Sequence, residues 1–120
     1  MTAPSSSLAT ALRACLQRVA ARSEKITYQA LAIEMQLQPP NTIHQLTTLL
    51  EELMREDAAT HQPFIAALVV SKRPPYLPGR GFFQCATELG RFGGIDSEAS
   101  IFHARELAQA QAFWSATKQR

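Results

Sequence analysis

Two adjacent prolines, Pro39 and Pro40, cut a stretch of helical pattern into two pieces that cannot be one helix. Proline has no N–H for the helical ladder, and its ring pushes the preceding Gln38 out of the helical region. Upstream, Thr27 offers a hydroxyl to cap a helix over Gln29 to Leu37, with Leu31, Ala32 and Met35 turned inward. Downstream, Asn41 is placed to cap a longer helix. There Ile43, Leu46, Leu50, Leu53 and Met54 follow at steps of three, four, three and one, a single apolar stripe that fades between Asp57 and Thr60. A short helix, a tight turn and a long helix are therefore the fixed centre of the fold.

The flanks add further elements. Ser7 can cap a first helix whose Leu8, Leu12, Cys15, Leu16 and Val19 share one face, and Lys25 to Tyr28 suffices only for a β-bridge. Pro63 precedes the continuous apolar run Phe64 to Val70, which predicts a buried strand. Arg73 to Gly81 holds three prolines and two glycines, the chemistry of a protruding loop. Phe82 to Leu89 fits either a strand or a short helix. After the Gly93-Gly94 break, a last helix is expected from Asp96 or Ser97 towards Thr117, with His103, Leu107, Ala110 and Trp114 on one side and Phe102 and Phe113 close by.

The chain has 120 residues, 46% of them hydrophobic and 18% charged, enough for one compact domain and incompatible with disorder throughout. A net charge of +2 excludes a histone-like phosphate-neutralising surface but not a local basic patch. Phe64 to Val70 is far short of the roughly 20 residues of a membrane-spanning helix. Met1 to Ser7 reads as a flexible leader without secretory character, so a cytoplasmic protein is expected. Cys15 and Cys85 have no ligand-type neighbours and read as buried thiols; no metal or other cofactor is signalled.

The segment Ile26-Thr27-Tyr28-Gln29-Ala30-Leu31-Ala32, followed by Asn41-Thr42-Ile43-His44-Gln45-Leu46, resembles the core of the winged helix-turn-helix superfamily, covering about Leu8 to Phe83. The resemblance implies an α+β, mainly helical winged helix-turn-helix domain over residues 8–95, with a small antiparallel sheet. An added C-terminal helix over 96–120 would pack on it or serve in dimerisation. Two departures stand out: Gln36 occupies a position that commonly carries glycine, and the Pro-Pro turn is about one residue longer. The resemblance also implies that the third helix meets duplex DNA, with Asn41, Thr42, His44, Gln45 and Thr48 at the groove and Ile43 and Leu46 anchoring it. Their amides, hydroxyls and imidazole suit base edges and phosphates.

Charge placement supports the same partner. Lys72, Arg73, Arg80 and Arg91 against Glu88 give the segment from Lys72 to Phe92 a net +3, which leaves the rest of the chain at −1. With Tyr76, Phe82, Phe83 and Phe92 interleaved, these cations read as a phosphate-contacting wing. Glu51, Glu52, Glu56 and Asp57 make the end of the third helix acidic, so that end should face away from DNA.

The run Ile26 to Ala32 with Ile65 to Val70 is similar also to the DNA-repair alkyltransferase domain. In place of that family's Pro-Cys-His-Arg motif the chain has Ile65, Ala66, Ala67 and Leu68, so the alkyl-accepting chemistry has no nucleophile. His44, His61 and His103 share no spacing, and Gly79-Arg80-Gly81 lacks the lysine and hydroxyl of a phosphate-binding loop. The expectation is a non-enzymatic DNA-binding regulator or accessory factor. The alternative is a module for protein contacts or a homodimer, using Phe102, Phe113 and Trp114 of the last helix.

Overall fold

A computed structural model describes residues 4–118. Helix α1 spans Pro4–Ala21, and two-residue strand β1 spans Ile26–Thr27. Helix α2 spans Tyr28–Glu34 and helix α3 Thr42–Ala59. A 3₁₀ turn over Ile65–Leu68 leads into β2, Val69–Val70. Helix α4 covers Arg80–Glu88, and a second 3₁₀ turn, Asp96–Glu98, opens α5, Ala99–Lys118. The expected leader thus already contributes to α1 from Pro4, while Met1 to Ala3 lie outside the described residues.

The helices form for the reasons their patterns suggest. In α1 the buried face is Ala9, Leu12, Cys15, Leu16, Val19 and Ala20; Leu8 is exposed instead, because Ala9 takes the inward position at the start of the stripe. Thr27 Oγ1 accepts the Ala30 N–H at 3.1 Å and caps α2. In α3 the stripe runs through Leu46, Leu49, Leu50, Leu53 and Met54, whereas Ile43, expected as an anchor, is 40% exposed.

Gln36 sits at φ 57°, the left-handed conformation that glycine adopts without steric cost. It ends α2 in a Schellman arrangement: the Gln36 N–H donates to Ile33 O at 2.9 Å and the Leu37 N–H to Ala32 O at 3.1 Å. A glutamine here carries strain, so Gln36→Gly is expected to leave stability unchanged or raise it by up to about 1 kcal/mol. Urea denaturation checks this, and a clear loss of stability would contradict it.

The sheet differs from the antiparallel one expected. β1 and β2 run parallel, with Ile26 opposite Val69 and Thr27 opposite Val70. The connectivity accommodates this: α2 and α3 form the long crossover that a parallel pair requires, and no tight hairpin joins the two strands. The apolar run predicted as one strand is extended only at Val69–Val70, and its first part is the 3₁₀ turn.

Every residue from Phe64 to Val70 is buried, with α1, α3 and α5 packed around this central segment. A backbone so enclosed must find partners for its polar groups. The Phe64 N–H donates to Glu106 Oε2 at 2.8 Å and the Ile65 N–H to Asp57 Oδ2 at 3.0 Å. Trp114 Nε1–H donates to Pro63 O at 3.0 Å, Arg91 to Gln62 O at 2.8 Å, and His103 Nε2 lies 2.9 Å from Ala67 O. The carboxylates are neutralised by arginines: Asp57 by Arg13 at 2.9 Å, and Glu106 by Arg91 at 2.8 Å.

Burial holds the pKa of His103 below its ordinary value; the nearby Lys25 acts in the same sense, and the Ala67 carbonyl opposes both. His103 is therefore neutral in the fold while the unfolded chain titrates near 6.5. The sign follows: this contribution is complete above pH 6.5 and is lost as pH falls below it, at no more than about 1.4 kcal/mol per pH unit. Comparing unfolding at pH 7 and pH 5 for wild type and His103→Asn should show the smaller pH slope in the variant. Equal slopes would contradict a neutral, buried His103.

Candidate nucleic-acid interface

The exposed start of α3 is built on the Pro39-Pro40 turn. Asn41 precedes the helix at φ 62°, ψ 41°, and its side chain makes no capping bond; only its carbonyl engages, accepting the Gln45 N–H at 2.9 Å. The side-chain cap expected of Asn41 is thus replaced by a left-handed entry, which asparagine tolerates better than most residues. Gln45 is half-buried and uses its Nε2 on Gln38 O at 2.9 Å and Pro40 O at 2.8 Å, which closes the turn. The hydroxyls of Thr47 and Thr48 both turn back to His44 O at 3.0 Å. Thr42 is half-buried. Asn41 and His44 therefore present the most open polar groups at this end, while Gln45 holds the scaffold beneath them.

Further along α3, His44, Thr47, Thr48 and Glu51 follow one another at helical spacing towards the start of α4. A methyl group placed on Gly81 would stand 3.3 Å from Glu51 Oε2, so the two helices approach closely there. Tyr28 pins the junction. Its hydroxyl accepts the Gly79 N–H at 2.7 Å, and its ring lines a small crevice with Thr47, Glu51, Ala66 and Phe82. The Gly79-Arg80-Gly81 sequence, read as a flexible turn, is the entry to α4, and Phe82 to Glu88 is helical rather than strand. Glycine at 81 fits because a larger residue would crowd Glu51.

Between β2 and α4 the chain makes a closed excursion. The Ser71 N–H donates to Leu77 O and the Tyr76 N–H to Arg73 O, each at 2.8 Å, while Pro78 is buried as an anchor. Lys72, Arg73 and Tyr76 project from it in exposed positions, and Arg80 is exposed at the first turn of α4. This loop stands where a β-hairpin wing was expected. Among the described residues, Lys25, Lys72, Arg73 and Arg80 have no carboxylate partner within ion-pair distance, unlike Arg13, Arg22 and Arg91.

Arg91 lies apart from that cluster. Its guanidinium stacks 4.0 Å over the Phe64 ring while bonding Glu106 and Gln62, a half-buried place inside the fold. Of the interleaved aromatics, Phe82 and Phe92 are buried and Phe83 packs between them; Tyr76, at 49% exposure, is open. The three aromatics of α5 face inward as well. Phe102 stacks on Phe92 at 4.7 Å, Phe113 stands edge-on to Trp114 at 4.8 Å, and Trp114 is buried with Arg13 4.9 Å from its ring.

At the positions matching the alkyltransferase motif, Ala66 and Ala67 are both buried. Both cysteines are free and buried, and burial raises their thiol pKa values. No group of three or more His, Cys, Asp or Glu side chains among the described residues could hold a metal, and no described helix is long and apolar enough to cross a membrane. Comparison with protein-family models, with curated proteins and with solved structures gave no match.

Sequence reasoning missed Tyr28 as the junction, and it missed Lys25, which lies beside the loop cations. It also missed Asp57 and Glu106 as core groups, although a signal was present. Asp57 continues the stripe of Leu46, Leu50 and Leu53, and Glu106 falls between His103 and Ala110 on the inward face of α5.

Proposed function

We propose that the chain is a non-enzymatic DNA-binding protein of helix-turn-helix type. In this reading Asn41, Thr42, His44, Gln45 and Thr48 at the start of α3 form the groove-facing surface, and Lys72, Arg73 and Arg80 contact phosphates. Gln45 acts there through the turn it closes, and Arg91 acts through Glu106 and the Phe64 segment. The observation that carries the reading is the junction at Tyr28, the first residue of α2: its hydroxyl accepts the Gly79 N–H at the exit of the cationic loop, and its ring lines a crevice with Thr47 and Glu51 of α3. Cations without carboxylate partners and the polar start of α3 thereby share one connected framework. Function would consist of positioning by phosphate contacts with limited base reading, with no covalent step.

A second reading, a protein contact, is favoured by Ile33 and Ile43, 76% and 40% exposed on the helices either side of the turn. In the DNA reading the same groups can meet thymine methyls.

The test is a salt titration of binding to a random blunt duplex. Three phosphate contacts predict that log K falls with log salt at a slope of about −2.7. Binding no stronger than to a neutral polymer, or independent of salt, would overturn the proposal in favour of the protein contact.

A further inference from the structure

Beside the sheet lies an open groove of about 270 Å³ lined by Lys25, Ile26 and Thr27 on one side and by Val70, Ser71, Lys72 and Tyr76 on the other. We propose that it holds one unpaired nucleotide of a DNA strand, with its phosphate between Lys25 and Lys72 and its base stacked on Tyr76. This rests on the DNA-binding reading above and extends it to a single-stranded element that α3 does not provide.

Four observations converge on the groove. Lys25 and Lys72 come from distant parts of the chain, brought together by the pairing of β1 with β2, and both are exposed with no ion-pair partner among the described residues. The nearest acid in sequence, Glu24, is held by Arg22 at 2.9 Å. Ile26 and Val70 supply an apolar floor for a sugar or base edge. Tyr76 is held at φ 61°, an uncommon conformation for a bulky residue, and its N–H donates to Arg73 O, so the loop fixes the backbone that carries a half-exposed ring.

The chemistry selects an unpaired nucleotide. A base inside a duplex has both faces stacked on its neighbours, whereas an open tyrosine ring needs a free base face.

The experiment compares fluorescein-labelled oligothymidylate of about 12 residues with a blunt duplex of equal length, each titrated into full-length protein. Wild type should bind the single strand. Tyr76→Ala should weaken that binding about tenfold, while Tyr76→Phe changes it by less than about twofold and Tyr76→Ala leaves duplex affinity within about twofold. Joint Lys25→Gln and Lys72→Gln substitution should weaken the single-strand complex and flatten its salt slope by roughly 1.4. Circular dichroism of these exposed-site variants verifies folding. Absence of single-strand binding by wild type, or equal binding by Tyr76→Ala, overturns the inference whatever happens with duplex. Loss of duplex binding alone would count against the proposed function and leave the groove standing.

Discussion

Asp57→Ala is expected to cost about 3–5 kcal/mol of folding stability. The carboxylate is 1% exposed and does two things at once: Oδ2 accepts the Ile65 N–H at 3.0 Å and Oδ1 pairs with Arg13 at 2.9 Å. Truncation leaves a buried backbone donor unsatisfied and a mostly buried guanidinium with only the more exposed Glu56, 2.9 Å away, to balance it. Burial raises the carboxyl pKa, which the Ile65 N–H and Arg13 oppose. The charged form is therefore costly to bury, and removing its partner should cost more than removing the pair. Accordingly, Asp57→Leu combined with Arg13→Met should be less destabilised than the sum of the single variants. Urea denaturation with an unchanged m-value measures both effects. A loss below about 1 kcal/mol for Asp57→Ala would show that the grip on the central segment is not held by this carboxylate.

The second large effect concerns binding. Replacing Lys72, Arg73 and Arg80 together by alanine should weaken duplex affinity at every sequence and flatten the salt slope by up to about 2.7. All three are exposed and, among the described residues, without carboxylate partners, so the fold should survive with little change in stability. Arg91→Ala makes the informative contrast. Its guanidinium is committed to Glu106, Gln62 and the Phe64 ring, so its loss should appear in unfolding. Unchanged affinity and slope in the triple variant would refute the phosphate role of the loop.

What could be read from the sequence follows the range of the forces involved. The Leu46–Leu50–Leu53 stripe, the Thr27 cap and the break at Pro39-Pro40 are local, and they give α3 nearly to its ends and the start of α2, which closes at Glu34, three residues before the expected Leu37. Gln36 was recognisable as the odd residue at a glycine-like position, and its φ of 57° shows why that position is special. The parallel sheet was not legible, because two-residue strands contribute no periodicity and their pairing depends on how the crossover closes. Phe64 to Val70 is apolar in either a strand or a 3₁₀ turn, so hydropathy could not divide it. A short helix was one of two readings of Phe82 to Leu89, and the first turn of α4 was obscured by the glycines flanking Arg80, which resemble a turn until Glu51 is seen against Gly81. Charge counting placed Asp57 in the acidic end of the third helix and Arg91 among loop cations. Both instead support the buried segment, and only tertiary structure separates a committed charge from an available one.

Amide chemical-shift mapping with a short blunt duplex tests most directly whether α3 and the cationic loop serve as one anion-binding framework. The account predicts shifts concentrated at residues 41–48, 72–76 and 79–81, with α5 and residues 61–64 little changed. Perturbations confined to α5, or none at all, would contradict it.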